Sequence, residues 1–283
     1  MKLITWNVQW FCGLDEMVSV DRVVKHAHAL AGFDVICMQE VAVNYPQLPG
    51  GAAFDQPQRL RECLPGFEVY FAPGVRERGR DGRWQEFGNL IATRIPASQF
   101  NAYTLPYPAD GGVRSMPRSV ASIVVPTASG PLRIMTTHLE FYSQRQRHAQ
   151  VNALRELHDQ ASSHARTPPL ADETGWPFQS KPHTVRTLLT GDFNFEPGSA
   201  EYERLQAPFS DGTPSLHDVW HCAHGANPHA PTFRLFDRRY GPEPIVCDFV
   251  FASDDLVPRV RSVTVDLKTQ ASDHQPVLVE IDL

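Results

Sequence analysis

The chain has 283 residues, of which 42% are hydrophobic and 20% are charged, and its formal net charge is −6. No apolar run approaches the ~18 residues of a membrane-spanning helix, and the negative charge argues against the broad basic surface of a general nucleic-acid-binding domain. A chain of this length can bury one large core or form two small domains.

The cysteines and the first residues bear on the cellular compartment. Five cysteines, an odd number without Cys-x-x-Cys spacing, favour neither a disulfide framework nor a thiolate zinc site. Strand-like residues 2–5 follow Met1 directly, which leaves no room for a signal peptide. We therefore expect a cytoplasmic protein with reduced thiols, and no sequence feature indicates an obligate protein partner.

Strand and helix patterns alternate along the first part of the chain. After a strand that ends near Asn7, apolar residues recur at helical spacing over 20–30, with Ser19 as the N-cap and Gly32 as the stop. A run of buried-strand type then leads to Glu40.

A Gly-containing loop is predicted between strands at 67–71 and 89–92, and it is rich in basic and aromatic side chains. These are Arg76, Arg78, Arg80, Arg83 and Trp84. Two interpretations remain open. The loop is the solvated tip of a hairpin, since charge runs usually face water. Alternatively it grips the substrate, because guanidinium groups hold phosphate bidentately and an indole can stack on a base.

The later part of the chain mixes hairpins with helices. Strands at 121–125 and 132–136 around Ser129-Gly130 predict a β-hairpin, and a helix is predicted over about 144–160. A strand then leads to Asp192, and three more are predicted at 246–251, 260–267 and 277–281. This mixture predicts an α/β (α+β) fold with two packed sheets and external helices, rather than an all-parallel doubly wound sheet.

The segment at about 162–184 is predicted to be a loop, because it contains four prolines and shows little periodicity. It is longer than most connections between secondary-structure elements. Since the next strand must return to present Asp192, the loop should emerge at the end of the sheet opposite the polar edge. We expect a structural or oligomer-contact insertion rather than a catalytic one.

Polar residues follow strand-like runs at four points of the sequence. The segments are Thr5-Trp6-Asn7, Gln39-Glu40, Gly191-Asp192-Phe193-Asn194 and Ser272-Asp273-His274. Open α/β sheets keep their chemistry at the carboxyl ends of strands, so we expect these groups to share one cleft. Glu40, Asp192 and Asp273 would repel one another there unless a divalent cation lay among them. Such oxygen ligands beside a histidine indicate metal-assisted attack on a phosphate.

The order and spacing of these segments resemble the endonuclease/exonuclease/phosphatase family, the DNase-I-like metal phosphoesterases. The resemblance runs from Leu3 to Leu278 and includes Thr137-His138-Leu139 and Cys247-Asp248-Phe249-Val250-Phe251. It implies one domain over 1–283, a four-layer α/β sandwich in which two packed mixed β-sheets are flanked by helices. Within it, 162–184 would be a Pro-rich insertion.

The candidate metal ligands are two carboxylates and an amide. Glu40 is the best candidate for direct ligation of Mg²⁺, or of Mn²⁺ as a substitute, because these hard ions prefer carboxylates, waters and substrate oxygens. The resemblance implies that Asn7 supports the metal and the scissile phosphate; capping of the strand end by its side chain is the alternative. Asp273 would ligate the metal or hold one of its ligands.

The resemblance also implies the catalytic groups. Asp192 would orient or deprotonate the attacking water, and Asn194 would steady the charge that builds on the phosphoryl oxygens. His274 would be the catalytic histidine, and Asp248 would fix its tautomer and favour its cation. His138 would contact the phosphate.

Three further features of the sequence bear on the site. Asn89 and Arg118 occupy positions where related sequences face the phosphate, although Arg118 could equally be a sheet-edge charge. A zinc site is the alternative for a segment that contains His217, His221, Cys222, His224 and His229. Glycine and proline break that segment and no cysteine pair completes a tetrahedral set, so packing is favoured. The segment Pro231-Thr232-Phe233 resembles the family's loop at the rim of the site.

The sequence therefore predicts a Mg²⁺-dependent phosphodiesterase that cleaves P–O bonds by in-line attack of an activated water. Nucleic acid is the leading substrate, as for a nuclease or a DNA-end-processing enzyme. A lipid head group or a small phosphorylated metabolite is the second, and membership of the fold does not choose between them. A catalytically inactive binding module is the alternative from another class, and the complete set of site residues argues against it.

Overall fold

The structure is a computed structural model that describes residues 1–283. Its thirteen strands are β1 (Lys2–Asn7), β2 (Val35–Tyr45), β3 (Ala52–Asp55), β4 (Glu68–Arg78), β5 (Trp84–Thr93), β6 (Gln99–Thr104), β7 (Ser119–Val125), β8 (Leu132–His138), β9 (Thr187–Asp192), β10 (Leu216–Asp218), β11 (Asp248–Ser253), β12 (Val260–Val265) and β13 (Val277–Ile281). Its five α-helices are α1 (Val20–Leu30), α2 (Gln56–Cys63), α3 (Gln144–Arg166), α4 (Ala200–Gln206) and α5 (Val219–His224). None of the helices combines the length and the apolar character that crossing a membrane requires.

The strands form two mixed sheets. The first has seven strands in the order β12-β13-β1-β2-β5-β4, with β3 also paired to β2. The second has six strands in the order β10-β11-β9-β8-β7-β6. Parallel pairing occurs between β1 and β2 in the first sheet and between β8 and β9 in the second.

Three apolar cores separate four layers. One core lies between the sheets, with Ile91 from the first sheet and Ile134 from the second. A second core packs Val23 of α1 against the outer side of the first sheet. The third packs Leu154 of α3 and Leu205 of α4 against the second sheet. The predicted α/β sandwich of two mixed sheets between helices is therefore confirmed.

Strand pairing brings the predicted polar residues to one edge of the sandwich. The parallel pair β1–β2 aligns Asn7 with Gln39, and the parallel pair β8–β9 aligns His138 with Asp192. Strand β11 runs antiparallel to β9, so its first residue, Asp248, pairs with the last residue of β9, Asp192. Carboxyl ends of parallel strands point the same way, and the predicted site residues collect there.

Several predicted elements are confirmed with small differences in their ends. Ser19 caps α1 and its side chain accepts a hydrogen bond from Arg22 N, but the helix stops at Leu30 with Ala31, not Gly32, as its C-cap. The predicted hairpin is β7–β8, and the final strand has the predicted limits. The strand expected at 246–251 is β11, which begins and ends two residues later.

The predicted end of the helix near 160 is wrong, because α3 continues to Arg166. Ser162 is buried with its hydroxyl on the His158 carbonyl, and Arg166 in the last turn donates to Asp211 at 2.7 Å. These contacts stabilise the last turn of α3. The serines and the histidine in this part of the sequence are not strong helix formers and did not predict that turn. The loop that follows is joined through Thr184 to the Pro131 carbonyl at the start of β8, the end opposite the polar edge, as predicted.

The predicted arginine-rich loop is also different. Strands β4 and β5 continue through it as a long hairpin, and only residues 79–83 form the turn. Pro73, Gly74 and Gly88 lie within this hairpin, and a register shift between Pro73 and Val75 accommodates them. A Cβ on Gly88 would lie 2.3 Å from the Ala72 carbonyl oxygen, so this glycine allows close approach of the two backbones.

Candidate active site

Asn7 joins the two sheets at the polar edge. Its Nδ2 donates to Glu40 Oε1 at 3.0 Å and to Asp192 Oδ2 at 2.9 Å, so one amide bridges carboxylates from the first and second sheets. Its Oδ1 accepts a hydrogen bond from Gln9 N at 3.0 Å. Asn7 is fully buried. The side chain thus caps the turn after β1 and also holds two of the predicted site carboxylates in place.

Gln9 is a site residue that sequence reasoning missed. Its Nε2 donates to Asp273 Oδ2 at 2.9 Å. Gln9, Trp10 and Phe11 all adopt left-handed φ values, 46°, 43° and 61°, and none is glycine. Each such residue costs about 1–3 kcal/mol and persists only where its surroundings impose it, which is typical of functional sites. No glycine or other feature of the sequence predicts this turn.

Glu40 and Asp273 are two carboxylates of the cavity lining that repel each other. Burial, with the charge of Glu40, raises the pKa of Asp273 to about 6, while the charge of His274 acts in the opposite direction. Burial also raises the pKa of Glu40, with the charge of Asp192 acting in the same direction. Glu40 has a φ of 60° at a register shift between Met38 and Val41. Carboxylate oxygens in this arrangement could hold a hard divalent cation, which would relieve their repulsion.

A second group of possible ligands lies beside the first. Ligand atoms of Asp192, Cys247, Asp248 and His274 all lie within 4.8 Å of one another. Burial raises the pKa of the Cys247 thiol well above its usual range, and nearby carboxylates raise it further. A neutral thiol is a poor metal ligand, because the thiolate is the form that binds. Both groups, Glu40 with Asp273 and the four residues around Asp192, lie at the same edge of the sandwich. This edge therefore contains a possible metal-binding cluster.

Asp248 and His274 are hydrogen-bonded within the protein. The distance between His274 Nδ1 and Asp248 Oδ2 is 2.9 Å, and both residues are buried. Burial alone would lower the pKa of His274, but the charges of Asp248, Asp192 and Asp273 outweigh it and raise the pKa to about 10. His274 is therefore a cation at neutral pH, and its Nε2 lies 3.7 Å from Asp192 Oδ2. An imidazolium so placed can donate to an oxygen that gains negative charge.

Asp192 and Asn194 lie together at the end of β9. Asn194 N donates to Asp192 Oδ1 at 3.0 Å, and Asn194 Nδ2 donates to the Leu139 carbonyl at 2.8 Å. Burial raises the pKa of Asp192 to about 6, while His274 acts in the opposite direction. Asp192 can accept a proton from a water near neutral pH. One hydrogen of the Asn194 amide remains for a substrate oxygen.

His138 lies between the carboxylates of the two sheets. Its Nε2 is 3.4 Å from Asp192 Oδ2, and its Nδ1 is 3.8 Å from Glu40 Oε1. Burial lowers the pKa of His138 well below its usual range, and the charges of Arg118 and His274 lower it further. His138 is therefore neutral at pH 7 and can donate one hydrogen bond rather than pair as a cation.

Arg118 and Asn89 are both buried beside this edge. Arg118 Nε donates to Glu140 Oε2 at 3.1 Å, so its charge is balanced by a carboxylate that the sequence analysis did not identify. Asn89 Nδ2 donates to the Ser119 carbonyl at 2.8 Å. Arg118 Nη1 and Asn89 Oδ1 have no protein partner. The structure thus places Arg118 inside the site and not at an exposed sheet edge.

An open cavity of about 570 Å³ lies over these groups. Its polar lining comprises Gln9, Glu40, Glu77, Ser115, Arg118, His138, Asp192, Asn194, Asp273 and His274. Its apolar lining comprises Trp10, Tyr45, Leu48, Val75, Phe87, Met116, Pro117, Phe141, Tyr142, Phe233 and Tyr240. Phe233 belongs to the segment expected at the rim. A cavity of this size and composition is typical of a small-molecule or active site.

The structure does not bring the predicted arginines into this cavity. Side chains alternate along β4, and Val75 and Glu77 are the ones that line the cavity. Arg76 and Arg78 lie on the opposite face, over the ring of Trp84 at 5.1 and 4.2 Å, and Arg76 pairs with Glu86 at 2.8 Å. In the turn, Arg83 pairs with Asp81, and Arg80 is also outside the cavity lining.

The His-rich segment does not gather a set of metal ligands. His221 Nδ1 bonds the Gly225 carbonyl, and His224 Nε2 bonds the Val263 carbonyl, each at 2.8 Å. His229 Nε2 bonds Asp218 Oδ2 at 2.8 Å. Each of these bonds uses one ring nitrogen, and no three possible metal ligands of the segment come together, unlike Asp192, Cys247, Asp248 and His274. The segment packs around α5, as the packing interpretation predicts.

Known structures share this fold at low sequence identity. A mannosyl-6-phosphatase from Bacteroides thetaiotaomicron is 16% identical with a TM-score of 0.66, and the match covers 100% of both chains. A humanized D. rerio TDP2 is 17% identical with a TM-score of 0.63, over 100% of this chain and 99% of that one. The human Nocturnin catalytic domain with bound sulfate is 18% identical with a TM-score of 0.65, over 99% and 92% of the two chains. These likenesses show the fold alone.

The family comparison rests on the sequence itself. No protein with a curated description matches the chain significantly. The model of the endonuclease/exonuclease/phosphatase family matches residues 4–274, which include every residue of the site from Asn7 to His274. Members of this family are phosphoric ester hydrolases that generally use a divalent metal. The chain belongs to the endonuclease/exonuclease/phosphatase family and is a phosphoric ester hydrolase.

Proposed function

We propose that this protein hydrolyses phosphodiesters with the help of a divalent cation, Mg²⁺ or Mn²⁺, by in-line attack of a water on phosphorus. The observation that carries the proposal is that Asn7 and Asp248 hold residues of one cavity lining: Asn7 bonds Glu40 and Asp192 of the two sheets, and Asp248 bonds His274. Buried carboxylates and a buried cation in one cleft are costly to stability and are typical of active sites.

Glu40 and Asp273 would hold the cation, and Asn7 and Gln9 would orient these two carboxylates through their amides. Oxygen donors in this number fit Mg²⁺, which keeps several waters and substrate oxygens. Bound there, a divalent ion supplies Lewis-acid polarisation of a phosphoryl oxygen. The raised pKa values of both carboxylates support a cation among them, because a positive charge favours their ionised forms.

The protein's own groups carry the proton steps in this proposal. Asp192 receives the proton of the attacking water, and Asn194 holds Asp192 in position through its backbone N–H. His274, kept cationic by Asp248, donates to the phosphoryl oxygens as their negative charge grows. His138 donates a neutral hydrogen bond to the phosphate, and Arg118 supplies positive charge from the wall.

The leading substrate expected from the sequence, nucleic acid, stays a prediction. Arg76 and Arg78 lie on the face of their hairpin away from the cavity, so these arginines do not support a nucleic-acid path into it. The cavity itself favours a small phosphoester, the second candidate from the sequence. The alternative of an inactive binding module is weakened by the intact Asp248–His274 pair.

A hydrolysis panel tests this proposal. The purified protein is assayed on bis(p-nitrophenyl) phosphate, p-nitrophenyl phosphate and single- and double-stranded oligonucleotides, with Mg²⁺ or Mn²⁺ and after EDTA. We expect metal-dependent release of p-nitrophenol from the diester that His274→Ala abolishes. The matched control is His217→Ala, since His217 is also paired with an aspartate, Asp254, but is exposed. Binding without hydrolysis of any substrate would favour the inactive module.

A further inference from the structure

The walls of the active-site cavity are unusually aromatic. Seven of the lining side chains are aromatic rings apart from histidine: Trp10, Tyr45, Phe87, Phe141, Tyr142, Phe233 and Tyr240. They come from five separate stretches of the chain, so no single sequence motif announces them. The chemistry proposed above uses none of these rings. We therefore look to the substrate for the reason that they surround the phosphate position.

One wall is a continuous run of rings that begins at the catalytic histidine. Phe233 stacks on His274, with ring centroids 4.2 Å apart and an interplanar angle of 19°. Tyr240 lies 6.0 Å from Phe233 and 6.2 Å from Phe141, and Phe141 meets Tyr142 edge-on at 4.8 Å. The run therefore leads from the reacting end of the cavity to its mouth.

The outer rings of this wall are accessible. Tyr142 is 49% exposed and Tyr240 is 48% exposed, although both belong to the apolar lining. Neither hydroxyl is hydrogen-bonded to the protein. Each ring packs edge-on or tilted against a neighbouring ring. The guanidinium of Arg114 lies over the Tyr142 ring at 5.5 Å, so a flat ligand could use the exposed part of Tyr240 and the remaining face of Tyr142.

The facing wall is fixed at a cost in backbone strain. Trp10 has a φ of 43°, and its indole Nε1 donates to the Pro49 carbonyl at 2.9 Å. Its own carbonyl accepts a hydrogen bond from Gln56 Nε2 at 2.9 Å. Tyr45 meets Phe87 edge-on at 6.1 Å on the same side of the cavity. Strain of this kind, held by specific hydrogen bonds, indicates that the position of the indole matters to the site.

The charges of the cavity suit one phosphate and not several. Four carboxylates line it, Glu40, Glu77, Asp192 and Asp273. The arginine in its lining, Arg118, is already paired with Glu140. A bound divalent cation and cationic His274 can offset Glu40, Asp192 and Asp273, whereas Glu77 accepts a hydrogen bond from the Tyr45 hydroxyl at 3.1 Å and makes no ion pair. Further phosphates of a polyanion would meet this uncompensated negative charge and the apolar rings.

We propose that the substrate is an ester of a single phosphate that carries a planar aromatic group, which binds between the ring wall of Phe233, Tyr240, Phe141 and Tyr142 and the facing Trp10. This inference rests on the proposed function, because it places the phosphate at the floor of the same cavity. An aryl ring and a nucleobase share this chemistry. A flexible acyl chain does not, since it lacks the flat face that stacks on a ring.

The first test measures binding without chemistry. Phenylphosphonate and methylphosphonate carry the same phosphonate group, and neither has a P–O–C bond to hydrolyse. Calorimetric titration in the presence of Mg²⁺ should give a dissociation constant about tenfold lower for phenylphosphonate, as expected for stacking on one or two rings. Hexylphosphonate, which is apolar and not planar, should bind more weakly than phenylphosphonate. Equal or tighter binding of the hexyl compound would overturn the proposal in favour of a lipid-like chain.

Variants of the wall locate the effect. The Tyr142→Ala/Tyr240→Ala double variant should reduce the ratio of the two dissociation constants to near 1, and Tyr142→Phe/Tyr240→Phe should restore it, because the rings return without the hydroxyls. Phe178→Ala is the matched control, since Phe178 is 80% exposed in the loop remote from the site. A ratio that survives in the double alanine variant would overturn the assignment of this wall. Competition by adenosine monophosphate against ribose 5-phosphate separates a nucleobase from an aryl ring.

The outcomes separate this inference from the proposed function. Metal-dependent hydrolysis of bis(p-nitrophenyl) phosphate together with equal binding of the phenyl and methyl compounds would overturn the inference and leave the function standing. Selective binding of phenylphosphonate without hydrolysis of any ester would overturn the function alone. Hydrolysis of a single-stranded oligonucleotide with a higher kcat/KM than every single-phosphate ester would overturn the restriction to one phosphate.

Discussion

Asp248 lies 2.9 Å from Nδ1 of His274, although the two residues are 26 positions apart in the sequence. Asp248 begins β11, and His274 lies three residues before β13, so the pair links the second sheet to the first. Thr232 supports the aspartate, because its hydroxyl accepts a hydrogen bond from Asp248 N at 3.2 Å. The geometry fixes which nitrogen of His274 faces the cavity and keeps the ring charged.

Removal of either member of this pair should damage the same catalytic step. We expect His274→Ala and Asp248→Asn each to lower kcat by about a hundredfold or more, as is usual for an oriented acid–base group. The double variant should be little worse than the poorer single variant, because residues that act as a unit are not additive. Steady-state kinetics on a chromogenic diester, with circular dichroism as the folding control, measures this cycle. Losses that multiply would contradict the pairing.

His158 should make the stability of the fold depend on pH. Burial, together with the charge of Arg133, lowers its pKa from 6.5 to about 4. The unfolded chain takes up a proton below pH 6.5 and the folded chain does not until about pH 4, so stability present at neutral pH is lost as the pH falls through this window. Between pH 7.5 and 5.0 this residue should cost about 2 kcal/mol of unfolding free energy.

Urea unfolding of the wild type and of His158→Gln at these two pH values measures the effect. Glutamine can accept from Arg133 and donate to the Pro214 carbonyl as the neutral histidine does, but it cannot titrate. The variant should therefore lose about 2 kcal/mol less than the wild type over this pH range. The exposed His217→Gln should behave as the wild type. An identical loss in His158→Gln and wild type would contradict the assignment.

Gly191 should tolerate no side chain. Its φ is +143°, and a Cβ there would lie 2.0 Å from the Thr137 carbonyl oxygen in the neighbouring parallel strand. Gly191→Ala should lower the unfolding free energy by more than about 2 kcal/mol and should move Asp192, the next residue. Gly111→Ala, where a Cβ meets no atom within 4 Å, should change stability by less than about 0.5 kcal/mol. A stable Gly191→Ala protein would show that the two strands can separate.

Much of the site was predictable because it obeys a simple rule of sheet geometry. Asn7, Glu40, Asp192 and His138 each follow a run of buried strand residues, and parallel pairing of β1 with β2 and of β8 with β9 brings those ends together. The side-chain type of each residue then limits the chemistry that the residue can perform. A buried histidine beside an aspartate is one example. Local sequence suffices where a residue's position depends on its own strand.

The rest depends on contacts that local sequence does not encode. The left-handed turn at Gln9 contains no glycine, and its conformation is imposed by hydrogen bonds to Asp273 and from Gln56. The aromatic cavity wall is assembled from segments that are distant in the sequence, so the hydrophobic periodicity of the sequence does not predict it. Similarly, the loop predicted between strands at 67–71 and 89–92 is largely a continuous hairpin, in which Gly88 allows a close backbone contact.

The arginines of the β4–β5 hairpin provide a test of the substrate class. Arg76 and Arg78 face away from the cavity and over Trp84, so Arg76→Ser/Arg78→Ser should leave kcat/KM for a small diester within about twofold of wild type, as is usual for surface changes. The salt dependence of oligonucleotide cleavage should also be unchanged. A raised KM for oligonucleotides with a flatter salt dependence would instead show that this face binds nucleic acid.

The most direct test of the central claim is a Mg²⁺ titration of diester hydrolysis by the wild type and Glu40→Gln. The protein is stripped with EDTA, and Mg²⁺ is returned stepwise with bis(p-nitrophenyl) phosphate as substrate. We predict no hydrolysis without metal, and a Mg²⁺ requirement that rises about tenfold or more in Glu40→Gln, because a carboxylate ligand is lost. Glu280→Gln, at a surface ion pair with Lys2, should match the wild type. Full hydrolysis in EDTA, or an unchanged requirement in Glu40→Gln, would contradict the account.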